Sequence, residues 1–225
     1  MISAVGFDLD NTLYPQDQHL CSFFRVASAW LARERGLDAA QIEQAFLDTC
    51  KRRTSYYPRL FDEALDRFGL ATPDRIGALV ARYHAHRADL SLYPGVGNML
   101  ARLRKERRLF MVTDGNARMQ RNKVHELGLE GAFDAIVFTH EHGREWHKPS
   151  ALPMAWAAEA VHAPPSECVY VGDNPHCDAA GARQIGMSTI RVLTGPLAAH
   201  CPEPGQEFDV TVEDVLQVEA ALSTL

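Results

Sequence analysis

The sequence has no apolar run close to the roughly 18 to 20 residues that would cross a bilayer. It also lacks a positively charged start followed by an apolar stretch, the pattern of a secretory signal. Instead the chain runs directly through Ile2, Val5 and Phe7 into a carboxylate. These absences predict a cytoplasmic protein without a membrane partner.

Paired cysteines and an excess of positive charge are missing as well. The five cysteines are odd in number, widely spaced and contain no C-x-x-C pair, which favours free thiols over a disulfide framework or a thiolate zinc site. The chain carries 23 basic and 29 acidic side chains, for a net charge of −6. Because it offers no overall positive field to a phosphodiester backbone, we expect no nucleic-acid partner.

The apolar residues, 46% of the 225, are enough for one good core and a small second one. From residue 92 onward, short runs rich in Val, Ile and Phe alternate with stretches of helical period, which is typical of βαβ units. The runs are almost continuously apolar, as in parallel strands covered on both faces. We therefore predict an α/β fold with a doubly wound parallel sheet. The predicted strands are 3–8, 108–113, 134–139, 168–172, 188–192 and 208–211, and the predicted helices are 96–106, 117–127, 150–162, 177–185 and a last one from 213.

Residues 16–91 interrupt this alternation. They contain four amphipathic stretches, at 18–35, 39–53, 59–68 and 73–88, with no convincing strand among them. We predict two domains: an α/β catalytic core from residues 1–15 and 92–225, and a small all-helical domain, 16–91, inserted directly after the first strand.

Polar side chains follow three of the predicted strands. They are Asp8, Asp10 and Thr12 after the first, Thr113, Asp114 and Gly115 at the end of the second, and Gly172, Asp173 and Asp178 after the fourth. Taken singly, such residues are ordinary in turns and helix caps. Because the carboxyl ends of parallel strands share one edge of the sheet, where ligands bind, we expect these side chains to lie together at that edge. Clustered carboxylates need a cation among them, and hard oxygen ligands favour Mg²⁺.

At this point the sequence resembles the haloacid dehalogenase (HAD) superfamily, specifically its phosphatase branch with a helical, C1-type cap inserted after the first motif. Four motifs carry the resemblance, in order: D-x-D-x-T at Asp8, Asp10 and Thr12; Thr113 at a strand end; Lys148 before a proline; and Gly172 and Asp173 with Asp178 five positions on. The resemblance covers essentially the whole chain and implies a Rossmann-like core. Four motifs at the ends of the expected elements are a strong signal, whereas a lone D-x-D-x-T is weak.

The resemblance implies a role for each aspartate of the first motif. Asp8 would attack phosphorus in line and form an aspartyl-phosphate. Asp10 would protonate the leaving oxygen and then activate the water that hydrolyses the intermediate, for which we expect a carboxyl with a raised pKa. Dehalogenases of the superfamily look different at the position of Asp10, so phosphate ester chemistry is favoured.

The same resemblance implies a metal site and a phosphate site. Mg²⁺ would be held by Asp8, the main-chain carbonyl of Asp10 and Asp173, with support from Asp178. The phosphoryl oxygens would meet the hydroxyl of Thr113 and the main-chain N–H groups of Asp114 and Gly115, while Lys148 supplies positive charge to them and to Asp8.

These roles predict a Mg²⁺-dependent phosphatase acting on a small phosphorylated metabolite, a nucleoside monophosphate or sugar phosphate, as a monomer or homodimer. Two alternatives stay open. A phosphomutase uses the same nucleophile and acid/base residue but returns the phosphoryl group to a sugar. A non-catalytic protein could use the cleft to bind a phosphorylated metabolite, although binding alone does not require both Asp8 and Asp10.

Substrate specificity has only weak candidates. Arg52, Arg53 and Tyr56 of the helical domain could meet the leaving group, but such side chains are equally common on solvated helices. Tyr14, just after the first motif, has a better claim. The histidines of residues 140–147 could suggest a metal site, but alternate histidines without a second ligand cluster are more often solvated.

Overall fold

A computed structural model describes residues 1–55 and 57–225, without the side chains of residues 34 and 35, so Tyr56 lies outside the described residues. The chain forms two units, Met1–Gln16 with Leu90–Leu225, and Asp17–Asp89. The boundaries predicted after residues 15 and 91 differ from these by one and two residues. That the helical unit acts as a cap stays a prediction.

The first unit is built on one six-stranded sheet. Its strands are β1 (Ala4–Phe7), β2 (Arg108–Thr113), β3 (Ala135–Phe138), β4 (Cys168–Gly172), β5 (Ser188–Val192) and β6 (Val210–Val212). They are all parallel, in the order β3-β2-β1-β4-β5-β6. Phe7 at the end of β1 lies opposite Met111 of β2 and Val171 of β4. The predicted doubly wound parallel sheet is confirmed, and β1, β2 and β4 end at the same edge.

The helices follow the predicted pattern but are shorter at several ends. They are α1 (Asp17–Arg35), α2 (Ala39–Arg53), α3 (Leu60–Asp66), α4 (Pro73–Ala85), α5 (Val96–Leu103), α6 (Ala117–Glu126), α7 (Leu152–Ala160), α8 (Ala180–Gln184) and α9 (Val218–Ala221), with 3₁₀ turns at Thr139–Glu141, Arg144–Trp146, Pro165–Glu167, Val215–Gln217 and Leu222–Thr224. The prediction that α8 begins at residue 177 is wrong, because the amides of Cys177 and Asp178 donate to the carbonyl of Asn174 in a separate turn. No helix of the described chain is both long and apolar enough to span a membrane.

One face of the sheet packs against α7. Phe110 of β2 and Tyr170 of β4 are fully buried there with Met154 and Ala157 of the helix. The ring of Phe110 crosses Gly6 so closely that a Cβ on Gly6 would lie 2.1 Å from it, which explains glycine in the middle of β1. The rings of Phe110 and Tyr170 stack at 6.4 Å between centroids. This packing fixes the ring of Tyr170 and leaves its hydroxyl group available to polar partners.

The helical unit has an apolar core of its own. Phe24 of α1 and Phe46 of α2 stack at 5.1 Å, and Ile42, Leu65 and Leu79 are fully buried with them. The carboxylate of Asp38 begins α2 by accepting the amide of Ala40 at 2.9 Å, a common N-cap arrangement. The helical unit therefore contains the second small core for which the apolar content of the sequence is sufficient.

Candidate active site

Asp8, Thr113 and Asp173 stand where β1, β2 and β4 reach the shared edge of the sheet. The amide of Asp8 donates to the carbonyl of Val171 at 2.9 Å, so the residue continues the β1–β4 ladder by one step. All three side chains are buried. The parallel topology thus brings together residues more than 100 positions apart in the sequence.

Three carboxylates form the acidic part of the site. Asp8, Asp173 and Asp178 each offer one oxygen, and these oxygens all lie within 4.8 Å of one another. The amide of Asn174 donates to Asp178 at 2.9 Å and holds it in the turn after β4. A Cβ on Gly172 would lie 2.3 Å from the carboxylate of Asp178, so glycine at the end of β4 is what lets this carboxylate approach.

Lys148 supplies the positive charge. Its ammonium donates to Asp8 at 2.7 Å, to Asp178 at 2.6 Å and to the hydroxyl of Tyr170 at 3.3 Å. Tyr170 in turn donates to the carbonyl of Val112 at 2.8 Å. Burial alone would lower the pKa of Lys148, but the charges of Asp178 and Asp8 outweigh it and raise that pKa well above its usual range. Lys148 is therefore a permanent cation inside the cluster.

One ammonium does not balance three buried carboxylates. Burial, with the charges of Asp178 and Asp10, raises the pKa of Asp8 from 3.8 to about 7 against the opposing effect of Lys148. Burial, with the charges of Asp178 and Asp8, raises the pKa of Asp173 to about 9. The Oδ2 atom of Asp173 is buried and has no hydrogen-bond partner among the described residues. An unpaired carboxylate oxygen next to two others is a fitting donor set for a hard divalent cation.

The carboxylate of Asp10 has a different environment, and the expectation of a raised pKa for it is wrong. Lys123 contacts both of its oxygens, at 2.7 and 2.9 Å, while Tyr14 donates to Oδ1 at 2.5 Å and Gln120 donates to Oδ2 at 2.8 Å. Burial acts to raise the pKa of Asp10, but the charge of Lys123 and these hydrogen bonds prevail and lower it. Its side chain thus faces Lys123, and this contact favours the anion.

The predicted phosphate site is built on the turn after β2. The hydroxyl of Thr113 is fully buried and accepts a hydrogen bond from Gln120 at 2.6 Å. The carboxylate of Asp114 accepts the hydroxyl of Thr139 at 2.5 Å and the amide of Lys148 at 3.1 Å. Asp114 therefore fixes the loop that carries Lys148, a contribution of its side chain that the sequence did not predict. Gly115 has φ of 121°, a backbone conformation that favours glycine.

Four residues of this region were not among the sequence candidates: Gln120, Lys123, Thr139 and Tyr170. One available signal was the spacing of Gln120 and Lys123, three residues apart on a face of α6 that also buries Met119 and Val124. A lysine on an apolar helix face needs a buried partner, which the pattern could have indicated.

The specificity candidates fall in two groups. Tyr14 is fully buried and its hydroxyl donates to the carboxylate of Asp10, while its contact with substrate stays a prediction. Arg52 and Arg53 of the helical unit both bond to Glu63, at 3.2 Å in each case. Their side chains are about half exposed, at 58% and 54%. Of the loop histidines, His140 and His147 stack on each other at 3.7 Å between ring centroids.

The fold and this edge define a Rossmann-like α/β protein with a buried cluster of carboxylates, and comparisons with known proteins show its family. Residues 2–186 match the family of haloacid dehalogenase-like hydrolases. The chain is 36% identical to the glyceraldehyde 3-phosphate phosphatase of Methanopyrus kandleri, over 87% of this chain and 85% of that protein. It is 34% identical to the phosphoserine phosphatase of Thermus thermophilus, over 71% of this chain and 62% of that protein.

A solved structure of a HAD phosphatase from Thermococcus onnurineus shares the fold, with a TM-score of 0.66 at 23% identity and 98% coverage of both chains. The chain belongs to the haloacid dehalogenase-like hydrolase family. Within that family it is a phosphoric monoester hydrolase. The resemblance inferred from the four motifs is confirmed.

Proposed function

We propose that this chain is a Mg²⁺-dependent phosphatase that hydrolyses a small phosphate monoester through an aspartyl-phosphate on Asp8. The observation that carries the proposal is the cluster of Asp8, Asp173 and Asp178, in which Asp8 and Asp178 bind the ammonium of Lys148. A binding protein needs no buried carboxylate at the position where a phosphoryl group would sit, since the two repel each other. A nucleophile requires that arrangement.

Asp8, Asp173 and Asp178, with the main-chain carbonyl of Asp10, would hold the metal ion. When bound, Mg²⁺ supplies positive charge that offsets the repulsion between a carboxylate and a phosphate ester. Because their pKa values are raised to about 7 and about 9, Asp8 and Asp173 would release protons on holding the ion.

The reaction then divides between two aspartates. Asp8 Oδ attacks phosphorus, the P–O bond to the leaving alcohol breaks, and Asp10, having gained a proton from solvent or from the ester, passes it to the leaving oxygen. Asp10 is then the anion that its contact with Lys123 favours. In that form it takes a proton from the water that attacks the aspartyl-phosphate, which releases inorganic phosphate and restores Asp8.

A panel of phosphorylated metabolites tests the proposal directly. We expect Mg²⁺-dependent release of phosphate and alcohol in equal amounts from at least one ester of a small metabolite. The panel includes nucleoside monophosphates and sugar phosphates, and also triose phosphates and phosphoserine because relatives act on such compounds. Isomerisation of a sugar phosphate without net phosphate release would instead identify a phosphomutase. Binding without turnover of any ester would identify a non-catalytic protein.

Asp10→Asn is expected to slow the enzyme most with poor leaving groups. A basic alkoxide needs a proton as it departs, whereas an aryl oxide leaves without help. We expect kcat to fall roughly 10²-fold for an alkyl phosphate and much less for an aryl phosphate. Steady-state phosphate release from the two substrates measures the ratio. Equal losses on both would assign Asp10 to hydrolysis of the aspartyl-phosphate alone.

We also propose that the helical unit selects the leaving group, in a cytoplasmic enzyme that works as a monomer or homodimer. All the residues of the acidic cluster and of the phosphate site belong to the first unit, so the phosphoryl chemistry leaves the helical unit free for another task. Arg52→Ala is expected to lower kcat/KM several-fold more for the physiological ester than for a generic aryl phosphate.

Glu63→Ala is the matched control for this prediction. It breaks the ion pair of Glu63 with Arg52, and also the one with Arg53, but leaves both guanidinium groups in place. Because exposed ion pairs contribute little to stability, both variants should fold. If the two variants change the ratio of kcat/KM values equally, the arginines act only within the helical unit.

A further inference from the structure

Helix α6 carries two polar side chains on its buried face. Gln120 and Lys123 lie one turn apart, with exposed fractions of 0% and 1%. An unpaired buried ammonium is costly, so an enzyme retains such a lysine only where a partner compensates it. The partner of Lys123 is the carboxylate of Asp10, at 2.7 and 2.9 Å.

The contacts leave the carboxylate of Asp10 little freedom. Its Oδ1 accepts from Lys123 and Tyr14, and its Oδ2 accepts from Lys123 and Gln120. Any rotation of the carboxylate would break at least one of these four hydrogen bonds. The side chain is therefore fixed by three donors from two different segments of the chain.

Gln120 also connects this carboxylate to the predicted phosphate site. Its Nε2 atom donates both to Asp10, at 2.8 Å, and to the hydroxyl of Thr113, at 2.6 Å. A Cβ on Gly115 would lie 3.3 Å from the amide carbon of Gln120, so the glycine of this turn leaves room for the bridge. One side chain thus sets the spacing between Asp10 and Thr113.

We infer that Gln120 and Lys123 are positioning residues that hold the carboxylate of Asp10 at a fixed place relative to the phosphoryl group. The inference rests on the proposed function, in which Asp10 transfers protons at the leaving oxygen. Proton transfer in the transition state requires the donor within hydrogen-bond reach of that oxygen, and misplacement by about 1 Å reduces the rate strongly. Neither residue touches substrate in this role, and both act through Asp10.

A double-mutant cycle tests the inference. Lys123→Met and Gln120→Leu are each made in the wild-type chain and in the Asp10→Asn chain, and kcat is measured with an alkyl and an aryl phosphate. In the wild-type background we expect each change to lower kcat for the alkyl phosphate by roughly 10-fold or more, with a smaller loss for the aryl phosphate and little change in KM. In the Asp10→Asn background we expect Lys123→Met to alter kcat by less than about twofold, and Gln120→Leu to lose less activity than in the wild-type background, because only its contact with Thr113 is still at stake.

Two further measurements keep the test decisive. Val124→Ala shortens a buried apolar side chain of the same helix and is expected to lower the Tm without changing the alkyl-to-aryl ratio. Gln120→Leu removes the bridge without leaving an unpaired charge, so we expect it to fold even if Lys123→Met does not. Losses that are equal in both backgrounds and on both substrates, or a Val124→Ala variant that reproduces them, would overturn the inference.

The failure of this inference can be distinguished from failure of the proposed function. If the wild-type chain releases no phosphate from any ester, the proposed function is wrong and the role of α6 falls with it. If the wild-type chain is an active phosphatase and the variants show no dependence on Asp10, only the positioning role is wrong.

Discussion

Asp8→Asn is expected to abolish phosphate release while the fold persists. The amide has nearly the shape of the carboxylate but is a poor nucleophile, so kcat should fall by roughly 10⁴-fold or more, the scale of loss when an enzyme loses its nucleophile. The Tm without Mg²⁺ should be unchanged or higher, because the substitution removes one of three buried carboxylates that repel one another. Lys148 keeps Asp178 as an ionic partner in the variant.

Three measurements check this expectation. Steady-state phosphate release gives the loss of turnover, and thermal unfolding gives the Tm. Acid quenching during turnover, followed by mass spectrometry, should find a phosphorylated peptide containing Asp8 in the wild-type enzyme and none in the variant. The exposed Asp74 of α4 provides the control. Asp74→Asn makes the same chemical change at a residue outside the acidic cluster and should leave kcat unchanged. Substantial turnover by Asp8→Asn would mean that water attacks the ester directly.

Removal of the divalent metal should reduce activity almost as severely. Exhaustive EDTA treatment, or Asp173→Asn, is expected to lower kcat by about 10³-fold, because several kcal/mol of charge stabilisation at the phosphoryl group is lost. Activity of the wild-type enzyme should return on addition of Mg²⁺. The Asp173→Asn variant should not recover, since it lacks the carboxylate whose Oδ2 atom has no protein partner.

The same site predicts a thermal shift that needs no substrate. In the metal-free fold the pKa of Asp173 is about 9, against an ordinary value of 3.8, so the native state retains a proton that the unfolded chain releases. The resulting stabilisation is fully present below pH 3.8 and is lost as the pH rises towards 9. Mg²⁺ must displace this proton, so we expect it to raise the Tm more at pH 8 than at pH 6. A shift that is equally large in Asp173→Asn would remove this residue from the metal site.

The sequence predicted most of the fold because its signals are local. Near-continuous apolar runs such as 108–113 and 168–172 marked buried parallel strands, and both ranges match β2 and β4. The start of α8 was misplaced, since the amides of Cys177 and Asp178 donate to the carbonyl of Asn174 in a turn that also holds the carboxylate of Asp178. Hydrogen bonds within the folded site thus determine where α8 begins, which helix propensity alone could not predict.

For the site, the motifs located the groups that cluster, but not the groups that surround them. Asp8, Lys148, Asp173 and Asp178 come together as the parallel topology requires. The environment of Asp10 depends on Lys123, which is separated from it by 113 positions and belongs to no motif. Its pKa therefore could not be predicted from neighbours in the sequence, and the expected direction was opposite to the one that this buried ion pair causes.

The ammonium of Lys148 has three hydrogens, and Asp8, Asp178 and Tyr170 accept all three. A phosphoryl oxygen can reach this ammonium only by displacing one of these acceptors. The bond to Tyr170 is the longest, at 3.3 Å, and Tyr170 keeps its own bond to the carbonyl of Val112, so this acceptor is released at least cost. Binding and release of phosphate each exchange one hydrogen-bond acceptor of Lys148 for another. Lys148 therefore gains little net bonding from inorganic phosphate, and we expect only weak inhibition by this product.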